Sequence, residues 1–218
     1  MLIFAFIGPS GCGKDTQAEL LSKNYQIPNI SSGSVLRDLY NKKDKLGVKA
    51  AKHWLKGKWV PDDLMMQILE VRMKQKDCKD GFILNGFPRT LKQAEVYGEK
   101  LNTKYPFTKV IYFDLTDEEA VKRLSNRRIC KDCGEIYHLI FNPPKESKYK
   151  CDKCGGKLRQ RTDDKEDLII NRLKSFHKSI EKILGYYEER GLLLKIDASP
   201  SIDSIHKELL KRLKEDVK

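Results

Sequence analysis

The chain has 218 residues, 39% of them hydrophobic and 34% charged, with a formal net charge of +12. That length supports one good-sized core with small inserted lobes, and the composition is that of a soluble globular protein with a heavily charged surface. No apolar stretch is long enough to span a bilayer and none follows a basic leader, so no membrane partner is expected and the expected location is cytoplasmic.

Leu2–Ile7 is an uninterrupted apolar run that reads as a buried strand. It breaks into the glycine-rich stretch 8–13 and then into Lys14-Asp-Thr-Gln17, where a helical pattern begins and runs over 16–24. Strand, glycine loop and helix in this order make a phosphate cradle. Backbone N–H groups approach where side chains are absent, the helix terminus adds partial positive charge, and a lysine reaches the terminal phosphates. Asp15 departs from the common motif, which has Ser or Thr there; the hydroxyl comes one place later, at Thr16.

A short strand is expected over 27–30, then a Ser-rich turn at 31–34 and helical spacing through Leu36, Leu39 and Tyr40. A small helix is read over 47–55, and another starts behind Pro61-Asp62-Asp63, a first turn suited to carboxylates. Gly81–Asn85 is a second buried strand, followed by Gly86-Phe-Pro-Arg-Thr90 and a helix through Leu101. A strand over 109–115 and a helix from Asp117 to Arg127 follow. Asp163-x-x-Glu166 resembles a capping box opening a long helix, 192–196 is the last strand, and Ile202, Ile205, Leu209, Leu213 and Val217 mark the closing helix.

Short apolar strands alternating with helices predict an α/β fold, a five-stranded parallel sheet with helices on both faces. Ligands in such sheets sit beyond the carboxyl ends of the strands, where residues 8–16, 31–37, 85–89 and Arg127 are expected.

Between Lys122 and Arg161 there are twelve Lys and Arg against four Asp and Glu. A concentrated positive segment suits a polyanionic small molecule, or a nucleic-acid patch. The same segment holds Cys130-x-x-Cys133 and Cys151-x-x-Cys154, each followed by glycine, with the spacing of a four-thiolate zinc ribbon. Four thiolates leave no open position, so the metal would be structural. Cys12 and Cys78 read as ordinary small residues. The four histidines are scattered, and no nucleophilic triad can be argued from order. Arginines at strand ends and at the margins of the basic segment suit direct phosphoryl transfer, which needs positioning and charge neutralisation more than covalent chemistry.

The chain resembles the adenylate kinase family in its long form with a zinc-bearing lid, and the resemblance covers essentially the whole sequence. It rests on Gly8-Pro-Ser-Gly-Cys-Gly-Lys-Asp-Thr-Gln17, Ser31-Ser-Gly-Ser-Val-Leu-Arg37, Gly57-Lys-Trp-Val-Pro-Asp-Asp63, Asn85-Gly-Phe-Pro-Arg-Thr90 with Gln93, Tyr137-His138, Phe141-Asn-Pro-Pro144 and Arg161-Thr-Asp-Asp164. The resemblance implies a P-loop NTP hydrolase-like core (1–30, 61–125 and 165–218), a helical NMP-binding lobe (31–60) and a zinc-ribbon lid (126–164). It implies reversible transfer, ATP + AMP to two ADP, by a monomer using Mg²⁺, with the lid closing over the donor to exclude water.

Carried over residue by residue, it assigns Gly11, Cys12, Gly13, Lys14, Asp15 and Thr16 to the ATP phosphates. Arg123, Arg127, Ile136 and Tyr137 would cover ATP, and the backbone near Pro200 would touch its base. Ser32, Arg37, Lys58, Trp59, Val60, Gly86, Phe87, Pro88, Arg89 and Gln93 would hold AMP, with Gln93 reading the adenine edge. Arg161 and Arg172 would close on the moving phosphoryl group, so that Lys14, Arg89, Arg127, Arg161 and Arg172 carry the chemistry. Cys130, Cys133, Cys151 and Cys154 would bind Zn.

Two departures stand out. Asn85 replaces the family aspartate that orders the Mg²⁺ hydration shell, and Asp15 replaces a glycine. Asp15 either compensates for Asn85 as an outer-sphere magnesium partner or points away as a helix cap. Ser34 also replaces a family aspartate. The alternatives are a nucleotide sensor with weak turnover, a monophosphate kinase for another donor or acceptor base, and a zinc-ribbon nucleic-acid binder. The last would need aromatic platforms among the basic residues, and the lid has few; no nucleic-acid partner is expected.

Overall fold

The computed structural model describes residues 1–55, 60–145, 147–161 and 164–216. Lys58, Trp59, Asp163 and Val217 of the expectations above therefore lie outside the described residues. The strands are β1 (Leu2–Ile7), β2 (Asn29–Ser31), β3 (Gly81–Asn85), β4 (Lys109–Asp114), β5 (Arg127–Cys130), β6 (Ile136–His138), β7 (Leu158–Arg159) and β8 (Leu193–Asp197). The helices are α1 (Lys14–Tyr25), α2 (Ser32–Asn41), α3 (Lys45–Trp54), α4 (Asp62–Met73), α5 (Leu91–Lys100), α6 (Asp117–Ser125), α7 (Glu166–Glu188) and α8 (Ile202–Asp216). The chain divides into two compact units, one of Met1–Gly8, Gly13–Asp114 and Ser179–Lys218, the other of Pro9–Cys12 and Leu115–Lys178.

In the first unit β2-β3-β1-β4-β8 form one parallel sheet. Ile3, Phe4, Ala5 and Phe6 are all fully buried. Successive strand residues face opposite sides, so both faces of the sheet are covered, which is why β1 reads as a continuous apolar run and not as an alternation. The chain leaves β1 toward β2 and β3 on one side, then crosses to β4 and β8 on the other. Such a reversal opens a crevice beyond the strand carboxyl ends. Register brings those ends level: Asn85 pairs with Phe6 on one side and with Ser31 on the other.

Local chemistry moves several element ends. The second strand starts at Asn29 and not at residue 27, because Pro28 has no N–H for the ladder. Helix α1 begins at Lys14, directly behind Gly13 at φ +82°, a conformation glycine adopts without steric cost. Helix α5 is capped by Thr90, whose hydroxyl accepts from the Gln93 amide at 3.1 Å.

Helices α1 and α8 are tied by a polar clip. Gln17 Nε2 donates to the Ile202 carbonyl at 2.8 Å, which turns Gln17 Oε1 to accept from His206 Nδ1 at 3.1 Å, while His206 Nε2 accepts from Asn24 Nδ2 at 2.9 Å. Accepting through Nε2 requires the neutral imidazole, whereas donating through Nδ1 does not. Burial holds the His206 pKa down, with Asp203 pulling weakly the other way. The unfolded chain therefore takes up this proton more readily, so the stability His206 contributes is fully present above about pH 6.5 and is lost as pH falls from there through the lowered value of the folded chain. Denaturant midpoints measured between about pH 7.5 and 5 should fall less steeply in His206→Gln than in the parent chain.

In the second unit β6-β5-β7 form a small antiparallel sheet, Arg127 opposite His138 and Cys130 opposite Leu158. Arg127 thus opens a strand of this sheet and does not stand at the carboxyl end of a parallel strand as expected. The apolar run that would mark a core strand is missing here, because β5 (Arg-Arg-Ile-Cys) has only one thoroughly buried residue, Cys130. Helix α6 carries Asp117, Glu118 and Glu119 in its first turn and Lys122 and Arg123 in its last, the order the helix dipole favours.

Candidate active site

The glycine loop leaves the carboxyl end of β1. Gly11, at φ +91°, could not carry a side chain cheaply: a Cβ would lie 3.1 Å from the Ala120 carbonyl oxygen. Gly13 caps α1 without a side chain, so no capping group competes for the first-turn amides. Cys12 is fully buried, which leaves its backbone as the part able to face a ligand. Lys14 is half-buried and Thr16 exposed.

Asp15 does not turn away. Its Oδ1 accepts a 2.7 Å hydrogen bond from Asn85 Nδ2. Asn85 is only 2% exposed, and its own Oδ1 is buried without a hydrogen-bond partner among the described residues.

A second cluster gathers the expected AMP residues. Ser32 Oγ donates to the Gly86 carbonyl at 3.2 Å, and Arg89 donates to the same carbonyl through Nε at 2.8 Å and to Ser32 Oγ through Nη2 at 3.3 Å. Phe87 is buried, and the Phe87–Pro88 bond is cis. Gln93 is held at both ends: its Oε1 accepts from the Arg89 amide and its Nε2 donates to Asp62 Oδ1, each at 2.8 Å. Val60 is buried, while Arg37 is exposed and bonded to Ser34 Oγ at 3.1 Å. Pro200 lines an open groove with Ile196, Asp197 and Ser204.

In the second unit Asp164 is completely buried and gathers two arginines. Arg127 meets it with a two-pronged contact, Nε at 2.8 Å and Nη2 at 2.6 Å, and Arg172 Nη1 lies at 3.4 Å. Arg172 Nη2 donates to Ser10 Oγ of the glycine loop at 2.8 Å. A planar guanidinium held this way has its fork aimed before a phosphate arrives. Arg123 bonds Glu119 at 3.2 Å and stands 5.8 Å from the centre of the Phe141 ring. Ile136 is exposed, and the Tyr137 hydroxyl accepts from the Asp152 amide at 2.8 Å. Arg161 is half-buried.

The four cysteines of the basic segment converge, their sulfurs all within 4.8 Å of one another and paired at 3.5 Å (Cys130–Cys154) and 3.6 Å (Cys133–Cys151). None is in a disulfide. Tetrahedral sulfurs at about 2.3 Å from a metal are about 3.8 Å apart, so the cluster has the dimensions of a metal site. Burial works against ionisation of Cys151, yet the Tyr137 hydroxyl and the Lys153 and Cys154 amides outweigh it and bring the thiol down to about 6. Gly134 (φ +75°) and Gly155 (φ +72°) make the turns behind the two knuckles.

Residues 6–192 match the sequence model of the adenylate kinase family. Similar proteins named adenylate kinase include that of Archaeoglobus fulgidus, 45% identical over 207 residues (94% of this chain and 94% of the relative). That of Methanocella arvoryzae is 45% identical over 203 residues (93% and 94%), and that of Caldicellulosiruptor bescii 42% over 210 residues (95% and 96%). The chain belongs to the adenylate kinase family. Its reaction is phosphoryl transfer between ATP and AMP, giving two ADP.

Set against an adenylate kinase site, three side chains have no role in the sequence reading beyond local structure or a matched motif: Asp62, Asp164 and Ser10. Asp62 stands in a Pro-Asp-Asp first turn, and its contact with Gln93 spans 31 residues. Asp164 stands where a strongly basic segment gives way to the acidic run Asp163, Asp164, Glu166 and Asp167, so the sequence does not single it out from its neighbours. Among the described residues no helix is long and apolar enough to cross a membrane.

Proposed function

We propose that the residues of this adenylate kinase divide the reaction as follows. Lys14, Thr16 and the amides of Gly11, Cys12 and Gly13 hold the ATP phosphates, with Arg123, Ile136, Tyr137 and the backbone near Pro200 on the rest of the donor. Ser32, Arg37, Val60, Gly86, Phe87, Pro88, Arg89 and Gln93 hold AMP, joined by Lys58 and Trp59. Arg127, Arg161 and Arg172 neutralise charge on the phosphoryl group as it passes in line from one nucleotide to the other, with no covalent enzyme intermediate.

Mg²⁺ carried with ATP supplies further charge neutralisation on the phosphate oxygens; the carboxamide oxygen of Asn85, unpartnered among the described residues, is an acceptor that fits the waters of its hydration shell. The cysteine cluster holds Zn in a structural role. The division into core (1–30, 61–125, 165–218), monophosphate lobe (31–60) and lid (126–164), a monomeric state, and a cytoplasmic location without nucleic-acid partners belong to the same proposal.

The observation that carries this reading is the Asp164 assembly, two guanidiniums aimed by one buried carboxylate and one of them bonded to the glycine loop. A coupled assay with a panel of nucleoside mono- and triphosphates, with and without Mg²⁺, tests it. Turnover should be greatest for ATP with AMP, and no turnover for that pair would reject it.

Base selection gives a sharper expectation. Asp62 fixes the orientation of the Gln93 amide, so Asp62→Ala lets that amide rotate. The KM for AMP should rise about tenfold, the cost of one poorly directed buried hydrogen bond, while the KM for ATP stays put. Initial rates with each nucleotide varied in turn decide it.

A further inference from the structure

We propose that Asp15 supplies the negative charge that faces the hydrated magnesium ion of the ATP complex, and that Asn85 is the residue that aims it. The inference rests on the kinase reading above and adds to it a role for a carboxylate in the glycine loop's own helix.

Asp15 is the second residue of α1, one place after Lys14. A carboxylate there is favoured by the helix dipole but repels phosphates unless a cation lies between them. Its Oδ1 is engaged by Asn85 Nδ2 at 2.7 Å. That bond fixes which way the carboxamide faces, since only its nitrogen can donate to a carboxylate. Asn85 Oδ1 is consequently presented as an acceptor, buried and unpartnered among the described residues. An orphaned buried acceptor calls for a donor that is not protein. Magnesium keeps several of its waters when bound beside phosphates, and those waters are donors. Asp15 and Asn85 together offer one charged and one neutral oxygen, tied by a single hydrogen bond across 70 residues of sequence.

The arrangement also accounts for asparagine at position 85. A second carboxylate at that hydrogen-bonding distance would face Asp15 as a like charge, and one of the two would have to take up a proton. With the charge on α1, the carboxamide satisfies both its neighbour and the ion's waters.

The test is calorimetric titration of the full-length protein with ATP alone, with and without Mg²⁺, so that no turnover is read. In Asp15→Asn the gain in ATP affinity on adding Mg²⁺ should shrink about tenfold, the effect of losing an outer-shell partner, while metal-free affinity is not weakened. The exchange variant Asp15→Asn with Asn85→Asp keeps the hydrogen bond and returns the charge, and should restore the gain. A wild-type magnesium response in Asp15→Asn overturns the proposal, and so does a loss that the exchange fails to repair. A parent chain that binds ATP but transfers nothing to AMP would instead reject the kinase reading.

Discussion

Replacing Arg172 by alanine should lower kcat about 10³-fold while changing the KM for either nucleotide only a few-fold. The magnitude follows from what a preorganised cation does during phosphoryl transfer. Charge spreads over the equatorial oxygens as the group leaves its donor, and a guanidinium already in place stabilises that state without reorganising at the moment of reaction. Removing one such donor costs about 10²–10³, and arginines on transferring phosphates reach about 10³–10⁵. Arg172 is pre-aimed by Ser10 on one nitrogen and Asp164 on another, so little of its conformational entropy remains to be lost on binding.

A merely bracing role for Arg172 predicts a different pattern. Arg172→Ala leaves Asp164 paired with Arg127 through two short contacts, so the melting temperature should barely move. Asp164→Ala takes the buried carboxylate from both guanidiniums at once, leaving Arg172 its Ser10 contact, at about 3–5 kcal/mol of stability, the usual penalty for breaking a buried pair. Arg172→Lys keeps the charge without the fork and should recover only a small part of kcat. If Arg172→Ala melts early and loses kcat only in proportion to the unfolded fraction, the catalytic role fails.

What could be read in advance depended on whether the information was local. The strand Gly81–Asn85 was legible to the residue, because the apolar run Phe82-Ile-Leu84 lies between Gly81 and Gly86 and leaves little alternative. The phosphate loop was legible because its chemistry is written in adjacent residues. Strand order was not, since crossover connections decide which parallel strands pair. The two-residue β7 gives no periodic signal, and it exists through pairing with β5. The contacts that aim the site were hidden for the same reason. Asp62 to Gln93, Asp15 to Asn85, and Asp164 to Arg127 each join residues more than 30 apart, and the sequence shows the partners without showing that they meet. At position 15 the sequence left two roles open, and only the hydrogen bond from Asn85 removes the helix-cap alternative.

Metal removal should act on the second unit alone. Among the described residues its small sheet has a buried cluster of Cys130, Tyr137, Cys151 and Leu158, two of which are proposed zinc ligands. Burying one leucine contributes about 1.5–3 kcal/mol, whereas ordering each backbone residue costs about 1–2 kcal/mol, so three short strands around that cluster cannot hold themselves. Binding of zinc to such sites contributes about 10–16 kcal/mol and is coupled to folding. Chelation, or Cys151→Ala, should therefore abolish hydrogen-exchange protection in β5, β6 and β7 while the amides of β1, β3 and β4 stay protected, since Ile3–Phe6, Phe82–Leu84, Val110 and Ile111 are buried in the other unit without the metal. Native mass spectrometry should find about one zinc per chain, lost in parallel with that protection. A protein that is isolated without metal, yet shows slow exchange throughout the small sheet, would mean that side-chain packing and not zinc holds it. Because Arg127 is the first residue of β5, loss of the metal should also remove the two-pronged grip on Asp164. Activity should then fall even though none of the four cysteines of the cluster is assigned to a nucleotide, and adding zinc back should restore protection and turnover together.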